Sequence, residues 1–189
     1  MVPTRSFKSG VLETVKELGG QFARARLTQV PGGKTPNSQR NQIKFWTTYR
    51  RESDVAEKLN GPAVGSEVIY LPRLVENSAS STCYKVNNGR VCVQDILNRL
   101  PEVEGLRWIV GNLATVCRVL ANHRKATRRH LLPNVYTWTT DNYKLSEGLG
   151  GAIEVWIVGE CSPDGVGVIT YPLRHWDDDI GLFVLGVPV

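Results

Sequence analysis

Gly33-Lys34-Thr35 follows a strand-like run at 21–30, and a strand running into Gly-Lys-Thr is how a nucleotide-phosphate loop begins. The full motif, G-x-x-x-x-G-K-[ST], requires a glycine where this chain has Thr28. It also requires a helix after the Thr, whose dipole supports the phosphates. Here Pro36-Asn37-Ser38-Gln39 follows, without an apolar helical period, and Pro36 biases Thr35 away from helical geometry. The stretch reads as a turn.

Asp177-Asp178-Asp179 is the second candidate, with Glu160 and Asp164 near in sequence. Such carboxylates suit Mg²⁺ or Ca²⁺, and the alternative function they raise is a metal-dependent hydrolase. Adjacent side chains point in different directions, however, and the spaced ligands and glycine of an EF-hand loop are missing. A solvated acidic turn is the expectation, with no metal and no cofactor. Cys161 and His175 are the residue types of a nucleophile and its base, but no nucleophile elbow accompanies them. No convincing enzyme site emerges from the residues.

The basic residues carry more. Residues 118–130 hold five permanent cations, Arg118, Arg124, Lys125, Arg128 and Arg129, and two histidines, with no acid. Cations near a helix C-terminus are favoured by its dipole, but that effect fades within a turn and does not reach Arg128 and Arg129 if the helix stops near Ala126. Arg24 and Arg26 are expected on one strand face, and Arg50 and Arg51 follow Trp46 and Tyr49. Cations interleaved with aromatics suit a phosphate backbone with bases stacking beside it. The expected nucleic-acid-binding set is therefore Arg24, Arg26, Trp46, Arg50, Arg51, Arg118, Arg124, Lys125, Arg128 and Arg129.

The elements positioning these residues follow from pattern. A short helix is expected at 9–18, capped by Ser9, with the first twenty residues forming a helical arm. Alternation predicts strands at 22–27, 42–49 and 67–71. Asn88-Gly89 suits a tight hairpin within 82–93, which would bring Cys83 and Cys92 near each other. A helical segment is expected near 94–127, broken at Pro101, with Leu106, Ile109, Leu113, Val116 or Cys117, and Leu120 down one face and Gly111 in its middle. Four strands then follow, at 134–140, 152–158, 165–171 and 181–187, with a turn at 162–165.

The fold class expected is α+β, mainly antiparallel, as one domain of 189 residues. A sandwich or a jelly-roll-like arrangement suits the strand count. The N-terminus lacks the apolar core of a cleaved signal, so a cytoplasmic, nuclear or virion location with reduced cysteines is expected. No apolar run is long enough to cross a membrane.

The net charge of +5 is unevenly spread. Residues 1–51 carry a net of +8, 52–117 of −2, 118–144 of +5 and 145–189 of −6. The blocks either pair with one another or present a basic surface to a polyanion. The latter leads to a non-enzymatic nucleic-acid-binding structural protein, RNA being favoured over DNA. The layout and size resemble those of a small self-assembling viral coat or nucleocapsid protein. An interaction module for an acidic protein is the remaining alternative.

Overall fold

The computed structural model describes residues 5–39, 44–46, 63–78, 93–144, 153–172 and 177–189. In chain order these form α1 (Val11–Glu17), β1 (Arg26–Val30), β2 (Phe45–Trp46), β3 (Ser66–Tyr70), α2 (Val93–Asn98), β4 (Leu106–Val110) and α3 (Leu113–Thr127), then β5 (Tyr136–Lys144), β6 (Ile153–Ser162), β7 (Gly165–Pro172), β8 (Ile180–Gly181) and β9 (Val184–Pro188). The fold is α+β and mainly antiparallel. The hairpin expected at 82–93, with Cys83, Cys92 and Asn88-Gly89, lies outside the described residues.

Two sheets are present, one ordered β1-β3-β9-β4 and the other β2-β7-β6-β5-β8. The first is antiparallel throughout. The second is built on the β6–β7 hairpin, whose Ser162-Pro163-Asp164-Gly165 turn lies where the sequence places it. Its outer strands add two parallel pairings, β2 on β7 and β5 on β8. These link segments too distant in sequence for local pattern to reveal.

The central strands of each sheet are buried on both faces. Val68 and Tyr70 of β3 join one apolar cluster with α3, while Ile69 and Leu71 join another with Val11 and Val15 of α1 and Ile96 of α2. Trp156 and Val158 of β6 likewise face the first cluster, and Ile157 the second. Strands covered on both sides read as continuous apolar runs, as 68–71 and 182–185 do. The two-sheet arrangement is thus completed by helices.

Four expectations change. The strand expected at 22–27 begins only at Arg26; a 3₁₀ turn, Gly20–Phe22, precedes it and buries Phe22. The helical segment near 94–127 contains a strand: residues 106–110 pair in full with β9. Leu-Arg-Trp-Ile-Val has the aromatic and β-branched content that favours a pleated, partly buried site, and that tertiary pairing overrides the helical period. Gly111 therefore precedes the helix rather than weakening its middle. Third, Val15 of the N-terminal helix is fully buried, and the α1 N-cap is Gly10, in the left-handed region, rather than Ser9. Fourth, the strand expected at 181–187 divides at Leu182-Phe183, where the chain passes from β8 of one sheet to β9 of the other. No helix among the described residues is long and apolar enough to cross a membrane.

Candidate nucleic-acid interface

α3 organises the basic residues. Asn112 caps it, its side-chain oxygen accepting from Thr115 N–H at 3.0 Å and from the Thr115 hydroxyl at 2.6 Å. The first two turns, from Leu113 through Leu120, are buried and apolar apart from Thr115 and the partly covered Arg118. Asn122 ties the helix to β1, donating to Thr28 Oγ1 and to the Gln29 carbonyl, both at 2.8 Å. Beyond that tether the last turn, with Arg124 and Lys125, is exposed.

The helix ends on Arg128, whose φ of 60° and ψ of 14° are left-handed and whose N–H donates to the Arg124 carbonyl at 2.8 Å. Such a cap normally falls on glycine. It turns the chain sharply, and the two neighbouring arginines diverge. Arg128 lines a groove of about 740 Å³ on one side of α3, together with Lys44, Arg118, Arg124 and Lys125. Arg129 lines a groove of about 690 Å³ on the other side, with Lys16, Arg24 and Arg26. His130 lines both. Neither groove is lined by a carboxylate among the described residues.

The far wall of the first groove is Lys44 with Gly165 and Val166. Val166 N–H donates to the Lys44 carbonyl at 2.9 Å, which seats β2 against β7. Gly165 permits this approach: its φ is +142°, and a Cβ there would lie 2.4 Å from the Lys44 carbonyl oxygen. Cys161 sits in the floor, and burial pushes its thiol up to about 12, against a weaker opposing effect of Arg124. At neutral pH it is a thiol, not a nucleophilic thiolate.

In the second groove His123 is buried, its Nδ1 2.9 Å from the Tyr70 hydroxyl. Burial first, and then the positive charge of Arg26, lower the His123 pKa. Burial raises that of Tyr70, which Arg26 partly offsets. The permanent cations of this groove are Lys16, Arg24, Arg26 and Arg129.

The sequence-derived set is thus partly assembled. Arg24 and Arg26 do not share a strand face, since Arg24 lies in the turn before β1, yet both reach the second groove. Arg118, Arg124, Lys125 and Arg128 reach the first groove, and Arg129 the second. Trp46 belongs to β2, two residues after the groove-lining Lys44. Arg50 and Arg51 lie outside the described residues. Lys16 and Lys44 were missed. Lys16 is one cation on a short helix, and Lys44 reaches α3 only through the long-range β2–β7 pairing.

The other candidates have structural roles. Thr35 Oγ1 accepts from Ser38 N–H at 3.2 Å and Ser38 Oγ donates to the Thr35 carbonyl at 2.8 Å, closing a one-turn 3₁₀ helix over Asn37–Gln39. The Lys34 carbonyl accepts from Ala63 N–H at 2.9 Å, and buried Gln39 donates to the Ala114 carbonyl at 3.1 Å. The Gly-Lys-Thr loop thus braces the start of α3. Asp177 accepts from Asp179 N–H at 3.0 Å and hydrogen-bonds with Tyr171, whose pKa is raised by burial first and then by Asp177. Among the described residues no three His, Cys, Asp or Glu side chains gather as a metal site; His175 lies outside them. No family model, no curated protein and no solved structure matches the chain.

Proposed function

We propose that this is a non-enzymatic nucleic-acid-binding protein whose contact surface is the C-terminal half of α3 and the two grooves beside it. The observation that carries the reading is the convergence of cations from α1, the β1 approach, β2 and α3 on two grooves with no lining carboxylate among the described residues. The ion pairs Lys16–Glu13 and Arg73–Glu76 each join near neighbours in sequence and leave the approach of cations from separate elements unexplained. Of these four residues, Lys16 lines a groove. A coat or nucleocapsid role, with RNA as the cargo, suits this charge layout and carries an expectation of RNA-dependent self-assembly.

The test is fluorescence anisotropy with a labelled oligonucleotide across a salt series. Each phosphate contact releases counterions, so the log–log slope counts contacts. Changing Arg124, Lys125, Arg128 and Arg129 together to Ala is expected to flatten the slope by about three units on a single strand, with little loss of stability because the residues are exposed. Trp46→Ala is expected to reduce any salt-resistant remainder, as loss of a stacking ring would. Failure of the folded protein to bind any oligonucleotide at low salt would overturn the reading. Light scattering with and without RNA tests the assembly role separately; a monomer under both conditions removes the coat-protein role and leaves binding intact.

A further inference from the structure

We propose that one single strand of nucleic acid crosses the C-terminal end of α3, its phosphates held in both grooves at once. This rests on the nucleic-acid reading above and specifies the form of the ligand and its path.

The C-cap geometry carries the argument. An arginine pair continuing along a helix or strand would occupy successive positions of that element. Here the left-handed turn at Arg128 divides the pair, sending Arg128 to one groove and Arg129 to the other. His130 then lies against both grooves, so polar side chains continue across the end of the helix. The helix is tethered to β1 through Asn122 between its buried and exposed halves, which fixes the crossing point relative to both walls.

Shape selects the form of the nucleic acid. A duplex is a thick rod, read by an element that protrudes into its groove. The cations of this protein instead line concavities whose outer walls are Lys44 and Val166 on one side and Arg24 and Lys16 on the other. A single strand, with one line of phosphates and free backbone torsions, can enter one concavity, pass over the helix end and enter the next. Among the described residues, neither set of lining residues includes Phe, Tyr or Trp. Recognition within the grooves is therefore directed at phosphate, and base identity has little influence there.

The test compares oligouridylates of about four and about twelve nucleotides, and a duplex of the longer length, in anisotropy salt series spanning the single-strand site sizes known for other folds. One variant, Lys125→Ala with Arg128→Gly, empties part of the first groove; glycine suits the left-handed cap, so the helix end is retained. A second, Arg24→Ala with Arg129→Gln, empties part of the second. For the longer strand each variant is expected to lower the slope by about 1.4 units, and the two losses to add, at one strand per protein. The short strand is expected to bind with a smaller slope, and the duplex more weakly than the longer single strand. Photocrosslinking the wild-type protein to a 4-thiouridine-substituted longer strand is expected to mark residues beside both grooves, which does not depend on the variants. Two long strands per protein, crosslinks confined to one groove, an effect of only one variant, or a preference for duplex would each overturn the threading and leave nucleic-acid binding standing. Absence of binding to every probe would overturn both.

Discussion

His123 shows how one residue can belong to a fold and border the proposed binding surface. Its ring is held against the Tyr70 hydroxyl, and burial, aided by Arg26, disfavours the imidazolium. The folded pKa lies below the ordinary 6.5, so between the two values the unfolded chain binds more protons than the folded one. The stabilising contribution is complete above 6.5 and is lost as pH falls through that point toward the lower folded value. Urea denaturation from about pH 7 down to about pH 5 is expected to show this decline, and His123→Gln, which keeps a polar partner for Tyr70, to make it shallower. An unchanged pH profile would remove His123 as its source. Residue type alone did not reveal this role, because a histidine within an acid-free basic run looks like one more charge. Thr35 is the converse: the missing first glycine and Pro36 marked its loop as structural, and its hydroxyl is indeed engaged in a 3₁₀ turn.

Elements were legible where their partners are local. The 162–165 turn and the β6–β7 hairpin need only nearby residues, and the sequence pattern located both. The segment 106–110 did not yield to pattern, because its apolar residues fit a helical stripe as well as a strand and β9, far along the chain, decides between them. A local signal for the true helix start was nonetheless present: Asn112, three residues before Thr115, is a favoured N-cap type. The β2–β7 contact was hidden for the same reason as β4, and it positions one wall of the first groove. Gly165→Ala tests that dependence. The added Cβ meets backbone rather than a yielding side chain, at a φ that side chains rarely adopt, so a loss on the order of 2 kcal/mol is expected in thermal or urea unfolding. Displacing Lys44 should also lower the single-strand salt slope by about 0.7 units. Lys44→Ala should lower the slope alike while leaving stability nearly unchanged, since Lys44 is exposed. Equal stability of Gly165→Ala and wild type would show that the close approach is not required.

At the scale of the whole molecule, uneven charge along the chain becomes a basic surface because distant segments converge on α3. The charge blocks were visible in the sequence; the convergence was not, since it depends on which strands lie beside the helix. The buried framework under α3 is equally non-local. β9 runs between β3 and β4, and all five of its residues are buried. Leu185 and Val187 belong to the apolar cluster beneath α3, and Val184 to the cluster beneath α1 and α2. A chain ending at residue 183 would therefore lose packing in both clusters and leave two strands without their shared partner. Burial of those three side chains contributes about 5–9 kcal/mol at 1.5–3 kcal/mol each, comparable with the entire 5–15 kcal/mol stability of a typical domain. The truncated chain is expected to lose its near-ultraviolet circular dichroism and its cooperative thermal transition together. The proposed nucleic-acid binding should weaken with it, because the arginines on either side of the helix end would no longer be held on two fixed walls. A truncated chain that still melts cooperatively, and still distinguishes the longer single strand from duplex, would show that β9 is peripheral and that the basic surface organises itself without the central sheet.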